Sequence, residues 1–303
     1  MNVYQIAELF KEEMNKQGIT PPLDLYVDGQ LHRFYIEGDN KCSKNGWYVL
    51  YSDAVPCGVF GSWKKGITWK WCAKKIHEMS SLERNKQIEQ MNHAYKIRNE
   101  IKEKEQLEAS EKANYLWENC TSINTEHVYL VKKHIKPFCA KQHGEKIVLP
   151  ITDCSGKIWS LQYIDESGEK RFLSDGALKG HFILVQDPEN TEDSSILICE
   201  GFATGATLAM SNPKDCVVAA CNALNIEPVA VAIRKHFPNT KIIICADDDR
   251  LNPDNPGITK GRKAAIASGA LFHQPKWPVN APKNLTDYND LACWNIEQRV
   301  NHV

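Results

Sequence analysis

The sequence predicts an α/β fold, in which a parallel sheet with flanking helices follows a small antiparallel β-rich N-terminal domain and a helical spacer. Three continuous apolar runs, at 195–201, 216–222 and 241–249, alternate with helical stretches in the last third of the chain. Residues 1–73 are instead rich in aromatic residues and glycine. The 303 residues are 42% hydrophobic and 25% charged, which suits a globular chain of about two domains.

The N-terminal segment, residues 1–73, is predicted to be a helix followed by hairpins. Its start, MNVYQIAELFKEEMNKQG, is typical of an amphipathic helix of mixed charge and not of a signal peptide. Short alternating segments follow, broken by Asp-Gly, Gly-Asp and Asn-Gly pairs that favour turns. The predicted strands are Leu25–Val27, His32–Ile36, Trp47–Tyr51 and Ile67–Trp71.

Residues 74–119 have a different composition and are predicted to form one or two exposed helices that act as a spacer. The segment contains no glycine or proline and few large apolar residues. Acidic and basic residues recur at helical offsets, as in Glu100 and Lys104. A sustained heptad is missing, so a coiled coil is not expected.

The rest of the chain, residues 120–303, is predicted to hold a hairpin series and then the parallel sheet. Turns are expected at Ser155-Gly156 and Ser167-Gly168. The three apolar runs lack alternation, which is typical of strands covered on both faces. Helices at Ala203–Met210 and Glu227–His236 separate these strands, and such right-handed crossovers produce a parallel sheet.

Acidic residues follow two of the predicted parallel strands and recur further along the chain. Glu200 ends the first run, Asp247–Asp249 end the third, and Asp287 and Asp290 lie in the segment NLTDYNDLACW. The carboxyl ends of parallel strands meet at one edge of a sheet, so these groups can converge. Strand pleating directs the middle aspartate of the run away from its two neighbours.

Clustered carboxylates indicate a metal site, because they resist joint ionisation unless a cation compensates their charge. Oxygen ligands without His or Cys suit Mg²⁺ or Mn²⁺. Two simpler interpretations stay open. The aspartate run can be a solvent-exposed loop, and Asp290 can cap a helix that begins at Leu291.

The order of these motifs resembles a known family. Glu-Gly after one strand and Asp-x-Asp after a later one are similar to the Toprim domain of topoisomerases and bacterial primases. The segments CEGFATGATLA, ADDDRLNPDNPGITKGRKAA and LTDYNDLA, with the preceding hairpins, resemble primases of phages and conjugative plasmids. The resemblance covers residues 120–293 and, more weakly, 15–70. It implies a primase core over 120–303, with a basic hairpin subdomain at 120–190 and a Toprim domain at 194–293.

The resemblance also implies roles for the acidic residues. Glu200 matches the family glutamate, a general acid/base or metal contact, and Asp247 and Asp249 match the Asp-x-Asp metal ligands. Asp287 and Asp290 match the downstream acidic motif. The implied chemistry is two-metal nucleotidyl transfer, in which a DNA primase joins ribonucleoside triphosphates into short RNA primers on single-stranded DNA. Such an enzyme serves DNA replication of a mobile genetic element.

Basic residues in two groups are candidates for contacts with DNA or nucleotides. Lys170, Arg171 and Lys179 lie where the family's basic subdomain holds the template. Lys260, Arg262 and Lys263 follow the acidic cluster and can hold nucleotide phosphates. Each group can instead be an ordinary solvated surface.

The segment SWKKGITWKWCAKK interleaves three tryptophans with lysines, as single-strand stacking surfaces do. Trp69 and Trp71 fall on one strand face, however, so core packing is the favoured interpretation of these two. Zinc is not expected, although the family usually begins with a zinc domain, because His32 and the N-terminal cysteines Cys42, Cys57 and Cys72 lack paired ligand spacing.

Composition narrows the setting of the protein. The net charge is −1, so any affinity for nucleic acid must come from local basic groups. No apolar run approaches the roughly 20 residues of a membrane span. Eleven cysteines without a C-x-x-C pair are typical of a reduced cytoplasmic protein.

Other activities remain possible at this stage. A P-loop is missing from the sequence, so any helicase is expected to be a separate partner. The same metal cluster can direct water instead of a 3′-hydroxyl, which leaves a Toprim nuclease as the alternative enzyme. A catalytically silent DNA-binding accessory factor is the non-enzyme alternative.

Overall fold

The computed structural model describes residues 1–40, 43–53, 55–188 and 194–301. The chain divides into two compact units, Met1–Lys104 and Glu105–Val303. The division falls within the segment that the sequence predicts as a spacer. None of the helices in the described ranges is long and apolar enough to cross a membrane.

The first unit pairs helix α1 (Val3–Lys16) with a four-stranded antiparallel sheet. A capping box begins the helix: the Asn2 side chain accepts from the Gln5 backbone N–H, and the Gln5 side chain accepts from the Asn2 backbone N–H. The apolar face of α1 is buried with the sheet. The strands pair in chain order and are β1 (His32–Phe34), β2 (Gly46–Tyr51), β3 (Cys57–Ser62) and β4 (Ile67–Cys72).

One strand prediction in this unit is wrong, and one strand was not predicted. Leu25–Val27 is not a strand, and the Tyr26 backbone N–H donates instead to the Tyr48 hydroxyl at 2.9 Å. Strand β3 goes unpredicted because glycines at 58 and 61 interrupt its pattern. Both glycines are needed, since a Cβ at Gly58 would collide with the Phe10 ring and one at Gly61 with the neighbouring strand.

The tryptophans of strand β4 contribute to the core of the first unit. Trp69 stacks on Phe60 with ring centroids 5.5 Å apart, and Trp71 meets the edge of Phe10 at the same separation. Both are only partly buried. Their contacts agree with core packing, the favoured interpretation of these residues.

The second unit contains the predicted hairpin series as a five-stranded antiparallel sheet. Gly156 and Gly168 occupy the two predicted turns with φ of 84° and 92°, a backbone conformation that glycine adopts without strain. A short helix, α3 (Val128–Lys133), lies between the first two strands in the chain. In sheet order the strands are β5 (Thr121–Ser122), β6 (Lys141–His143), β7 (Lys146–Thr152), β8 (Ile158–Ile164) and β9 (Lys170–Phe172).

A mixed sheet follows, and its four parallel strands include the three predicted ones. The order is β10-β12-β11-β13-β14, with β10 antiparallel at one edge. Strand β14 goes unpredicted because it is only three residues long. The bounds are β10 (Ile183–Gln186), β11 (Ile196–Cys199), β12 (Cys216–Ala219), β13 (Ile242–Cys245) and β14 (Leu271–His273).

Helices cover both faces of this sheet, as the continuous apolar strands predict. Phe202 and Ala206 of α4 are buried on one face, and Val229 of α5 and Ala264 of α6 are buried on the other. Each buried Phe or Val side chain contributes roughly 1.5–3 kcal/mol. The helices are α4 (Phe202–Ser211), α5 (Ile226–His236), α6 (Pro256–Ser268) and α7 (Tyr288–Asn301).

The predicted spacer contains one long helix, α2 (Ser81–Glu118), after a short 3₁₀ turn. Met91 and Ala94 are buried in the first unit with residues of β2 and β3. Ala113 is buried in the second unit with residues of β7 and β8. The helix is therefore not exposed throughout, although most of its charged side chains face solvent.

Candidate functional site

Three acidic side chains from separate elements line one cavity of about 290 Å³ in the second unit. Glu200 directly follows β11, Asp247 lies just past β13, and Asp287 directly precedes α7. Strands β11 and β13 are parallel neighbours, so their carboxyl ends meet at one edge of the sheet. The topology thus brings together three of the five predicted acidic residues.

Asp247 is the most perturbed carboxylate of this cavity. Burial, followed by the negative charges of Glu200, Asp287 and Asp249, raises its pKa to about 8. Lys170 acts in the opposite direction. The Asp247 Oδ1 atom is shielded from solvent and has no hydrogen-bond partner within the described residues. A buried carboxylate oxygen without a donor is costly unless a positive charge or a proton compensates it.

The other two cavity carboxylates are perturbed in the same direction. Burial raises the pKa of Glu200, Lys170 lowers it in part, and the charge of Asp249 raises it further. Burial also raises the pKa of Asp287, and the nearby charge of Asp290 adds to this effect. At all three carboxylates, burial and mutual repulsion therefore outweigh the opposing effect of the neighbouring lysines.

The donor set of the cavity fits a hard divalent cation. Its acidic side chains offer only carboxylate oxygens, which Mg²⁺ and Mn²⁺ prefer, and Asp247 Oδ1 is left without a donor. Within the described ranges, no three His, Cys, Asp or Glu side chains are already grouped closely enough to hold an ion. Binding would therefore require side-chain rotation to bring the oxygens to one point.

The two remaining residues of the aspartate run lie in different surroundings. Asp249 does not line the cavity, and its Oδ2 accepts from the Gly257 backbone N–H in the first turn of α6 at 2.9 Å. Asp248 is buried and turned towards Trp277 and Asn255, which both donate to its carboxylate. Asp248 is thus separated from Asp247, as the pleat argument predicts, but Asp249 does not line the cavity with Asp247, because β13 and its pleat end at Cys245.

The acidic residues of the downstream motif form the start of helix α7. The Asp287 Oδ1 accepts from the Asp290 backbone N–H at 2.8 Å, and the Asp290 Oδ2 accepts from Thr286 at 3.0 Å. The interpretation of Asp290 as the cap of a helix beginning at Leu291 is therefore wrong. Asp287 is the cap, because a side-chain oxygen at that position satisfies an orphan N–H of the first turn.

The basic residues of the hairpin subdomain point in different directions. Lys170 lines the acidic cavity, with its Nζ near Gly201. Arg171, the next residue of β9, is exposed and pairs with Glu169 at 3.0 Å. Lys179 is exposed in the loop before β10. Successive side chains of a strand point to opposite faces, so Lys170 and Arg171 point away from each other. Of the three residues, only Lys170 lies in the cavity.

The basic residues of helix α6 are also separated by their geometry. Lys263 pairs with Glu227 of α5 at 2.8 Å. Arg262 instead lies over the Phe272 ring, at 5.5 Å from its centroid. Lys260 is half-buried on the same helix. None of the three lines the acidic cavity.

Two lysines of the acidic cavity were missed by sequence reasoning. Lys132 and Lys133, at the end of α3, line the cavity, and Lys133 Nζ lies 3.5 Å from Asp290 Oδ1. The only local signal is the Lys-Lys pair in VKKH, which by itself is ordinary surface sequence. Their position depends on how α3 packs beside α7, and no local pattern encodes that packing.

Of the N-terminal residues considered for zinc, Cys57 and Cys72 are cross-strand partners on β3 and β4, whereas His32 lies on β1, which pairs with neither strand. His32 contacts Asp28 at 3.0 Å and stacks between Tyr26 and Tyr48. Cys57 is buried, and its pKa is raised to about 12 by burial. Cys42 lies outside the described residues.

Fold and site together define an α/β domain with acidic groups at the carboxyl ends of its parallel strands. Residues 195–295 match the Toprim domain family. The chain is 31% identical over 287 residues to a DNA primase TraC of Escherichia coli, covering 91% of this chain and 26% of that protein. A second DNA primase TraC of Escherichia coli is 32% identical over 301 residues, covering 95% and 20%. The chain therefore contains a Toprim domain and is homologous to these primases.

The chain spans about a quarter of the length of one of these relatives and a fifth of the other. Among solved structures, the primase fragment of the bacteriophage T7 primase-helicase protein covers 61% of this chain at 17% identity, and 78% of the fragment is matched, with a TM-score of 0.40. The DnaG primase catalytic domain bound to ssDNA covers 59% at 16% identity, and 61% of that domain is matched, with a TM-score of 0.36.

Proposed function

We propose that this protein is a DNA primase, a nucleotidyltransferase that synthesises short RNA primers on single-stranded DNA for the replication of a phage or plasmid. The observation that carries the proposal is the shared cavity of Glu200, Asp247 and Asp287 with Lys170 beside them. Homology to two DNA primases over most of this chain supports the same activity. Its substrates are ribonucleoside triphosphates and a DNA template.

The proposed cofactor is Mg²⁺ or Mn²⁺, with two ions. Asp247, Glu200 and Asp287 are the candidate ligands from the cavity, and Asp249 and Asp290 are the candidates beside it. The bound ions would activate the 3′-hydroxyl and stabilise charge on the phosphorus under attack. Side-chain rotation at Asp249 would exchange its bond to the Gly257 N–H for an ion contact.

The protein's own side chains have distinct proposed tasks in this reaction. The Lys170 ammonium can bind a phosphate oxygen of the incoming nucleotide or template, because it already lies beside the carboxylates. Glu200, whose pKa is raised by burial, can accept a proton more readily than an exposed carboxylate does. The cavity walls position these groups and limit the access of water.

The test is synthesis of RNA on single-stranded DNA. The protein is incubated with the DNA, labelled ribonucleotides and Mg²⁺ or Mn²⁺, and the products are separated on a gel. Short RNA from the wild type and from Asp254→Asn, but not from Asp247→Asn, supports the proposal. Asp254 is the matched control because it is an exposed aspartate in the loop before α6.

The same experiment separates the primase from the nuclease alternative when the DNA carries a second label. Shortened DNA without RNA would assign the metal site to hydrolysis. DNA binding with neither product would assign the protein to the accessory class. Either outcome would contradict the proposed polymerase activity.

A further inference from the structure

A basic groove lies beyond strand β14, on residues that do not line the acidic cavity. Its volume is about 680 Å³, and its charged walls are formed by Arg250, Arg262 and Lys276. Phe272 and Trp277 provide aromatic walls. None of the residues that line this groove is acidic. We call it the basic-aromatic groove.

Each guanidinium of the groove is paired with an aromatic ring. Arg250 lies over Trp277 at 4.0 Å from the ring centroid, and Arg262 lies over Phe272 at 5.5 Å. The Arg250 guanidinium also donates to the backbone carbonyls of Pro282 and Leu285, which fixes its plane. Planar guanidinium groups held in this way can stack on nucleic-acid bases and pair with phosphates.

The two outer cations of the groove lack acidic partners. Neither Arg262 nor Lys276 forms an ion pair with a described residue, whereas Lys263, next to Arg262, pairs with Glu227. Lys276 is exposed. Two unpaired positive charges in one groove form a local field in a chain whose net charge is −1.

The groove wall is restrained by two prolines and is hydrogen-bonded to the loop that carries Asp247–Asp249. Pro275 and Pro278 flank the Lys276-Trp277 pair, and each fixes its φ near −65°, which limits the freedom of this segment. The Trp277 indole donates to Asp248, the residue between Asp247 and Asp249. A strand held in the groove would therefore lie on a wall that is anchored to the metal-site loop.

We propose that the basic-aromatic groove binds single-stranded DNA as an extension of the template path. This inference rests on the proposed function. The unpaired cations can form ion pairs with the phosphates of a strand. The guanidinium groups that lie over aromatic rings can stack on its bases. An elongated strand suits the groove better than a free nucleotide does, because the groove is open, has a volume of about 680 Å³ and has three cations among its lining residues.

The test is equilibrium binding of an oligo(dT) of about 20 nucleotides to the whole protein in EDTA, over a series of salt concentrations. The double variant Arg262→Gln/Lys276→Gln should bind roughly tenfold more weakly at 0.1 M salt, with the slope of log K against log salt flattened by about 1.4. Lys276→Gln alone should flatten it by about 0.7. The double variant Lys214→Gln/Lys235→Gln, which removes two exposed lysines elsewhere, is the charge-matched control.

Wild-type affinity and salt slope in the groove variant would overturn this inference, and so would an equal change in the control. Weaker binding of ATP with unchanged oligonucleotide binding would also overturn it, because the groove would then be a nucleotide site. The measurement needs no catalysis, so its failure is separate from that of the primase proposal. If the wild type synthesises RNA and the groove variant binds the oligonucleotide normally, the groove proposal is rejected and the primase proposal stands.

Discussion

The indole N–H of Trp277 donates to the buried carboxylate of Asp248, with Nε1 at 2.9 Å from Oδ2. The other carboxylate oxygen accepts from Asn255 Nδ2 at 2.7 Å. Asp248 is thus the structural member of the aspartate run, whereas Asp247 faces the cavity without a donor for its Oδ1. The Asp248 carboxylate therefore stabilises the fold, whereas the charge of the neighbouring Asp247 destabilises it.

Isosteric substitutions should reveal this difference. Asp248→Asn replaces one acceptor with a donor, which then faces the N–H group of Trp277 or Asn255, so we expect a loss of about 1–3 kcal/mol in the free energy of unfolding. Asp247→Asn removes a charge from a repulsive cluster and should be neutral or stabilising without metal. Urea denaturation of both variants in EDTA measures the two effects. Equal destabilisation would contradict the assignment of separate roles.

The raised pKa of Asp247 predicts how stability depends on pH. Its ordinary value is 3.8 and its folded value is about 8, so between these values the folded state holds a proton that the unfolded state has lost. Metal-free stability should therefore fall as pH rises from about 4 to about 8. Thermal midpoints of the wild type and Asp247→Asn across this window measure the effect. The wild type should decline more steeply, and parallel profiles would contradict the raised pKa.

Metal should reverse this loss. A cation that binds only the folded protein stabilises it in proportion to the logarithm of its free concentration, and it favours the ionised carboxylates. At pH 8 we expect Mg²⁺ or Mn²⁺ to raise the thermal midpoint of the wild type and to raise that of Asp247→Asn less. Asp254→Asn is the control and should respond as the wild type does. An equal response in all three proteins would place the ion elsewhere.

The sequence predicts that Glu200 and Asp247 meet at one edge of the sheet, but it does not predict the residues that surround them. Continuous apolar strands predict the parallel sheet, and strand ends then bring Glu200 and Asp247 to one edge. Lys133 and Trp277 depend on tertiary packing of α3 and of the segment after β14, which has no periodic pattern. Strand β3 was missed for a different reason: its glycines serve close packing, and they look like turn residues in the sequence.

Substitution of either Asp247 or Asp249 should abolish catalysis. We expect Asp247→Asn and Asp249→Asn each to reduce primer synthesis roughly 100-fold or more, as loss of a preorganised charge does. Both should remain folded, because an amide oxygen at 249 can still accept from the Gly257 N–H. Primer yield on a gel and a far-UV spectrum report the two properties. Wild-type synthesis by either variant would rule out that residue as a ligand.

Glu200 should be separable from the metal ligands. Glu200→Gln is expected to abolish primer synthesis while Mn²⁺ still binds, because Asp247 and Asp249 follow a different strand and remain in place. Calorimetric titration with Mn²⁺ measures the retained binding. Complete loss of binding would instead make Glu200 the principal ligand.

The last prediction concerns two neighbouring cations of strand β9. Lys170 faces the carboxylates and lowers the pKa of both Glu200 and Asp247, whereas Arg171 is exposed and paired with Glu169. Lys170→Ala should therefore reduce primer synthesis and also lower metal-free stability near pH 8, because it removes a favourable charge from the cluster. Arg171→Ala should leave stability nearly unchanged, because an exposed ion pair contributes little to it.

The salt dependence of oligonucleotide binding extends this comparison to Lys179. Each residue that contacts one phosphate contributes about 0.7 to the slope of log K against log salt, so loss of Lys170, Arg171 and Lys179 together would flatten it by about 2 if all three do so. Lys170 lies in the acidic cavity, whereas Arg171 and Lys179 do not. We therefore expect the single variant of Lys170 to change the salt slope by a different amount from the single variants of the other two residues. Equal effects of all three on the slope, with no loss of metal-free stability in Lys170→Ala, would place Lys170 on the template surface and not among the carboxylates.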